Sequence, residues 1–481
     1  VLVVVLASTT AAAVFWLLSG DGVRAALERQ ASAWLGQPVR IGSADAQLFP
    51  RIGVQLTDVH VGDPARVTLG SVEVSTGLRA LLSRRIENAD VILANSRIDM
   101  PLPFELPTSG STGEEPDWQI VSMRTIRLDD VVVSSRGREV TVSVDSSLAG
   151  DTLALTRIRA SASGTTVDGS GAVRLAPALD ARLDLSANTL DLDDLLALAE
   201  AFAPGGGGRR TASSADGRLV AEVRADSVTA GRLTVPQFST TVRVHGTRVS
   251  LSPTRFLLFG GRYEGDLDLA LSEAGAMTLV SRVRDINVAE LAAFGGVPDA
   301  ITGRLSGSGR FEGRGTALAE VMATARGGGS ATIADGSIRG LNLVRTVVLF
   351  LGRPAPDTAA ATDSFDRIDT TFSLASQVVT ADALSLQSRD ADIVATGTLA
   401  LETKALDGRA DLSLSEELSK QAGTDLYRYT REGNRIVLPA TIGGTLGAPR
   451  LSIDAAAAVR RGLRNEVEQR LEGLLERLGG N

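Results

Sequence analysis

The chain has 481 residues, a formal net charge of −8 and 43% hydrophobic residues, an apolar content that excludes a disordered chain. Its acidity and its 4% aromatic content exclude the basic, base-stacking surface through which nucleic acid is bound. Cysteine is absent, which removes disulfides, thiol catalysis and cysteine metal sites together, and 50 glycines with an aliphatic core favour many short strands over a helical bundle.

The segment 1–18 carries no charge. Val1, Leu2, Val3, Val4, Val5 and Leu6, followed by Val14, Phe15, Trp16, Leu17 and Leu18, make an apolar run. As a helix at ~1.5 Å per residue the segment spans roughly 27 Å, close to the ~30 Å hydrocarbon layer. A cleaved signal peptide would end at Ala11–Ala13, but the run continues past these residues and puts Trp16 at the expected interface, so the segment reads as a transmembrane anchor. The missing Met and basic flank imply that a few residues precede Val1. Leu341–Leu351 is too short to cross again and contains Arg345, which predicts a single crossing.

In the next segment, 19–104, Val23, Leu27, Ala31 and Trp34 share one stripe of a helix over Gly22–Leu35, with Arg24, Glu28 and Arg29 off it. Gly36 and Pro38 stop the helix. The period then becomes two at Val54 and Leu56, Val59 and Val61, Val67 and Leu69, and Val72 and Val74, before a short helix at Leu78–Leu82 and a strand at Val91–Ile98. A linker rich in Pro, Ser, Gly and Glu covers 105–118.

Strands dominate a segment over 119–204 and, beyond a Gly-rich linker at 205–214, another over 215–454. Val140, Val142 and Val144 alternate with Thr141 and Ser143, and Leu183 and Leu185 with Arg182 and Asp184. Val242 and Val244 alternate with Arg243 and His245, Leu267, Leu269 and Leu271 with Asp266, Asp268 and Ala270, and Leu412 and Leu414 with Asp411 and Ser413. This pattern predicts an antiparallel sheet with one apolar and one solvated face. A unit of strand, turn, strand and short helix recurs from Gly171, from Gly265 and, shorter, from Gly397, which implies an elongated body of stacked hairpins. The tail 455–481 carries the stripe Leu463, Val467, Leu471, Leu474 and Leu478 and reads as an amphipathic helix that caps the sheet and protects an edge strand.

Leu35-Gly36-Gln37-Pro38-Val39 resembles the start of the AsmA family of Gram-negative envelope proteins. The likeness continues through Leu48-Phe49-Pro50, Leu56-Thr57-Asp58-Val59, Gly62-Asp63-Pro64 and Leu81-Leu82-Ser83-Arg84-Arg85-Ile86-Glu87. It extends to Leu258-Phe259-Gly260-Gly261-Arg262-Tyr263, Ile338-Arg339-Gly340-Leu341 and Gly443-Gly444-Thr445-Leu446. The resemblance implies an inner-membrane anchor, a periplasmic body of repeated β-groove units, and a role in moving phospholipid toward the outer membrane or in assembling that membrane. It carries no catalytic residues.

Enzyme chemistry finds little footing. His60 and His245 sit in the polar phase of their strands, and no Gly-x-Ser-x-Gly elbow is present. Neither Lys404 nor Lys420 follows a phosphate loop, and Gly307-Ser308-Gly309 reads as a turn. Asp191, Asp193 and Asp194 open a short helix, where carboxylates favour the positive end of the dipole. No cofactor or metal is expected. A carboxylate pair could serve an envelope polysaccharide enzyme, but the scarcity of Trp and Tyr to form a sugar platform counts against it.

Periodicity is the same whether two apolar faces seal as a sandwich or one remains an open trough; alone it favours the sandwich, and the family resemblance favours the trough. A trough would spare two acyl chains a transfer cost of more than ~20 kcal/mol, at roughly 0.8 kcal/mol per methylene. The expected fold is therefore mainly β with short helices: an elongated, curved antiparallel sheet of hairpins whose alternating Val and Leu positions, Val140 through Leu414, line a lipid groove. The expected function is non-enzymatic conduction of phospholipid, with acyl chains, the inner membrane and outer-membrane or periplasmic proteins as partners. The alternative is a structural factor that assembles outer-membrane proteins through its edge strands.

Overall fold

A computed structural model describes residues 20–47, 52–77, 85–102, 119–120, 122–202, 217–270, 275–315, 318–339, 363–421, 431–432, 434–454, 456–457 and 460. The expected anchor Val1–Leu18, the helix Leu78–Leu82, the linkers 105–118 and 205–214, Leu271 and the stripe Leu463–Leu478 lie outside them. Among the described residues no helix is long and apolar enough to cross a membrane. The chain divides into two compact units, Val1–Thr247 and Arg248–Asn481, and both are mainly β. That division falls inside the expected segment 215–454 and not at the Gly-rich 205–214.

The first unit opens with helix α1 (Gly20–Leu35) and strands β1 (Val39–Gln47), β2 (Ile52–Val61), β3 (Val67–Thr76), β4 (Arg85–Ile86) and β5 (Ala89–Met100). It continues with β6 (Gln119–Ile120), β7 (Ser122–Ser135), β8 (Arg138–Ala149), β9 (Thr152–Ala162), β10 (Thr165–Arg174) and β11 (Asp180–Asp191). Helix α2 (Leu192–Phe202), β12 (Arg218–Ala230) and β13 (Leu233–His245) complete it. β4 and β6 pair with each other, and the remaining strands form one sheet in sequence order. The sheet is not purely antiparallel: β5–β7 and β11–β12 are parallel. The reason is connection length, because a parallel neighbour needs a crossover of a dozen or more residues, and the chain between these strands supplies one in each case. The two expected linkers thus join strands that pair directly within one sheet.

Helix α1 guards the free edge of β1. Leu27, Ala31 and Leu35 pack against the buried cluster Val39, Ile41, Ala44, Val59 and Val61. Arg24 and Glu28, which the helical stripe leaves out, face the strand. The Val39 N–H donates to Ser32 Oγ at 2.9 Å, the Ile41 N–H donates to Glu28 Oε1 at 2.8 Å, and Arg24 Nη1 donates to the Gly42 carbonyl at 3.4 Å. Side chains four residues apart on one helix side take the place of a neighbouring strand, which closes an edge that would otherwise pair with another chain. Further into the sheet, Asp58, Asn95 and Asp130 have φ of 52°, 50° and 50° and stand beside one another across β2, β5 and β7, with Gly70 of β3 between the first two. Asp and Asn tolerate this left-handed backbone, and the shared bulge moves the apolar phase by one residue in these neighbouring strands together, from Leu56 to Val59 in β2 and from Leu128 to Val131 in β7, while β8 keeps its phase.

The second unit comprises β14 (Arg248–Leu258), β15 (Gly261–Ala270), β16 (Ala276–Asn287), helix α3 (Val288–Phe294), β17 (Arg304–Arg314), helix α4 (Leu318–Thr324) and β18 (Arg326–Ile338). β19 (Asp363–Ala375), β20 (Val378–Gln387), β21 (Ala391–Ala400), β22 (Leu406–Leu414) and helix α5 (Glu416–Gln421) follow. The last strands are β23 (Arg431–Glu432), β24 (Arg435–Thr445) and β25 (Ala448–Ile453). The strands pair antiparallel in sequence order, except that β22 pairs with β24 and the short β23 lies beside β24. Its core gathers Phe365, Ile368, Leu386, Ile393, Leu412, Leu414, Ile436 and Leu438.

The recurring unit is observed three times, as β10–β11–α2, β15–β16–α3 and β21–β22–α5. Its first two helices are capped alike: Asp191 Oδ1 accepts from the N–H groups of Asp193 and Asp194, and Asn287 Oδ1 from those of Ala289 and Glu290. Gly307-Ser308-Gly309 is the middle of β17 and not a turn; its two glycines alternate onto one face, where a Cβ would meet the backbone of Ser330 and Ala331 at Gly307 and the Phe311 ring at Gly309.

Replacing Glu28 by Ala leaves the buried Ile41 N–H without its acceptor and is expected to lower stability by about 1–3 kcal/mol, whereas Glu28→Gln keeps an acceptor and most of the stability. Urea unfolding of both variants checks this; equal loss in the two would show that the hydrogen bond is not the cause.

Candidate functional site

Register turns alternation into a surface. In the first unit the Cα partners Ala44, Leu56, Val72, Leu93, Leu128, Val144, Ile158, Gly169, Leu185, Val223 and Thr240 follow one another across the strands from β1 to β13. In the second, Leu251, Leu267, Leu279, Phe311, Gly327, Leu374, Val379, Leu399 and Leu406 form the equivalent file from β14 to β22. At about 4.8 Å per strand this second file is roughly 38 Å long. Alternation places neighbouring files on the same face two residues away, and among the described residues none of these positions is charged. Among the described residues Tyr263 is the one ionisable side chain on the face of the second unit. It stacks on Phe256 with ring centroids 4.3 Å apart, and burial pushes its hydroxyl up from the ordinary range, so it stays neutral at pH 7.

A second file in that unit is nearly bare: Gly265, Ser281, Gly309, Gly329, Phe372, Ala381, Gly397, Gly408 and Ile442. On one side it borders the Leu and Phe file. On the other, beyond one intervening file, stand Leu305, Ile333, Ile368, Leu386, Ile393 and Leu412. Small residues between two ridges leave a depression floored by backbone. At Gly309 a Cβ would lie 2.8 Å from the ring of Phe311, so glycine there is what lets the ring lie down. Over β18–β25 the depression encloses about 360 Å³, walled by Ile301, Ile333, Ile338, Phe372, Val379, Leu384, Leu399, Leu406, Ile442 and Leu451. This is within the range of small-ligand sites. Asp407 also touches it but lies exposed in the opposite phase of β22.

The expected groove residues fall on these faces. Val140, Val142 and Val144 of β8, Leu183 and Leu185 of β11, and Val242 and Val244 of β13 share the apolar face of the first unit, all half-buried. Leu267 and Leu269 are half-buried on the face of the second. Leu412 and Leu414, at 0% and 1% exposure, are sealed in the core and offer no surface to a ligand. The residues that do line the trough were missed, although Gly397 with Leu399 and Leu406 with Gly408 alternate in the same two strands. Periodicity assigns the phase and leaves open how far along a strand the cover extends.

The opposite face is an ion-pair surface. Arg127 and Arg157 hold Asp145 at 2.7 and 2.8 Å, Arg159 pairs with Asp168 at 2.7 Å, and Arg367 with Asp369 at 2.5 Å. The Arg127 hydrogen bond holds the Asp145 carboxyl below its usual range, and hydrogen bonds from Arg367 and Thr332 do the same for Asp369. His60 and His245 are exposed here. Among the described residues no three His, Asp or Glu side chains are arranged to hold a metal ion. No protein-family model, curated protein or solved structure matches the chain.

A lowered carboxyl stabilises the fold above its unfolded value of about 3.9, and that contribution disappears as pH falls through the lower folded value. Asp145→Asn is accordingly expected to be less stable than the parent at pH 7, with the difference shrinking as pH falls below about 4. Thermal unfolding across pH checks this, and a difference independent of pH would contradict it.

Proposed function

We propose that this is a non-enzymatic protein, anchored in the inner membrane with its body in the periplasm, that binds phospholipid acyl chains on its apolar sheet face and conducts them during outer-membrane biogenesis. The observation that carries the reading is the uncharged, aliphatic face in each unit, continuous across every described strand of its sheet. Such a surface removes most of the transfer cost of an acyl chain, and its few fixed polar groups leave the chain free to slide. Two further features support the reading. The trough of the second unit is not filled by side chains of the described residues, and the motif order resembles that of the AsmA family. Moving lipid this way needs no nucleophile, metal or cofactor.

Leu267→Glu with Leu269→Glu puts charge in the middle of the leucine file at half-buried positions. Lipid carrying a photoreactive acyl chain is expected to crosslink to the parent protein and not to this folded variant. Mass spectrometry of material bound to detergent-free protein is expected to find phospholipid. Intact crosslinking in the variant, or co-purifying unfolded protein in place of lipid, would overturn the proposal, the latter in favour of an assembly factor.

A further inference from the structure

The trough of the second unit has a cover with one weak margin. Helix α3 leaves β16 just after Ile286, whose register partner is Leu305, and a strap, Gly295–Gly303, leads on to β17. One margin of the strap is zipped to the end of β18. The Thr302 N–H donates to the Ser337 carbonyl at 2.9 Å, the Arg339 N–H donates to the Ala300 carbonyl at 3.0 Å, and the Ser337 N–H donates to Thr302 Oγ1 at 3.0 Å. Ala300 and Ile301 form part of the cavity wall beneath.

The other margin meets the turns that join β21 to β22 and β24 to β25. Lys404 Nζ donates to the Gly296 carbonyl at 3.4 Å, across 108 positions of sequence, and a Cβ on Gly447 would lie 3.9 Å from the Cβ of Val297. The turn carrying Lys404 follows Leu399 and precedes Leu406, at the end of the strands opposite Leu305. The strap therefore crosses the apolar face from one ridge to the other.

The two margins differ in kind. Among the described residues the first has four hydrogen bonds to the end of β18, one of them between the Thr302 and Ser337 hydroxyls at 2.8 Å, and the Arg339–Asp299 ion pair at 3.9 Å, whereas at the other a lysine makes one long hydrogen bond and Val297 lies over Gly447. Gly296 and Gly303, with φ of 77° and 130°, stand near either end of the strap, in backbone conformations that glycine adopts readily. Leu386, Ile393 and Ala395 line the cavity while only 3–4% exposed, at its deepest part. We infer that the margin at Gly296 and Val297 is a lateral gate: it parts from Lys404 and Gly447, admits a single acyl chain sideways into the trough, and closes over it. The inference rests on the reading of the trough as an acyl-chain site.

The chain has no cysteine, so Val297→Cys with Gly447→Cys introduces the only thiol pair, and the 3.9 Å Cβ separation suits a disulfide. Uptake of the fluorescent fatty acid cis-parinaric acid by the full chain reads the gate. Oxidation is expected to slow uptake at least about tenfold, with reduction restoring it, as for a closure that limits access. Lys404→Met is expected to speed uptake roughly fivefold, the weight of about one net hydrogen bond. Equal uptake in oxidised and reduced protein, with the disulfide verified by mass, overturns the gate and leaves the trough reading in place. Absence of uptake in both states overturns the trough reading, and the gate with it. If the cysteine pair prevents folding, Lys404→Met decides alone, and unchanged uptake overturns the gate.

Discussion

The structure depends on keeping one phase of alternation intact from strand to strand. Each residue that points to the apolar side needs an uncharged neighbour in the next strand, and a slip of one position would carry charge onto that side. The aligned bulge at Asp58, Asn95 and Asp130 shows how strictly this holds: where the phase shifts, it shifts in neighbouring strands together. Arg127, Asp145, Arg159 and Asp168 gain cross-strand partners on the solvated side for the same reason, because opposite charges placed in register attract.

Much of this was legible from the residues alone. Runs such as Val140-Val142-Val144 and Leu267-Leu269 announce their face, and the repeat from Gly171, Gly265 and Gly397 announces the hairpin and its helix. What was not legible lies in contacts that alternation does not encode. Glu28 reads as a solvated helix position, yet it accepts from the edge of β1, because a long side chain reaches past the apolar stripe beside it. Gly307 and Gly309 read as a turn because glycine is a turn former, but here they lie within a strand, where Gly309 makes room for Phe311 and Gly307 for the backbone of Ser330 and Ala331. The parallel joints β5–β7 and β11–β12 follow from crossover length, which two Gly- and Pro-containing stretches concealed as linkers.

The candidate site was legible in chemistry and not in extent. A sheet face rich in Val, Leu and Ile with bare glycine files between ridges suits an aliphatic ligand. Which part is core and which is open surface depends on what folds over it. In the second unit Leu412 and Leu414 are buried in one cluster with Ile436 and Leu438 of β24, against which Ile301 of the strap and Leu418 of α5 pack, while Leu399 and Leu406, three files along the same face, stay on the wall of the cavity. Six residues along β22 separate the sealed Leu412 from Leu406 on the cavity wall.

The central claim is that the uncharged face, and not the charged one, receives acyl chains. Single cysteines at Leu185 and Leu267 on that face, and at Asp184 and Asp266 on the other, can each carry an environment-sensitive fluorophore in this cysteine-free chain. Titration with a doxyl-labelled phospholipid should quench the first pair and spare the second. Equal quenching at all four positions, or quenching confined to the aspartate positions, would contradict the account.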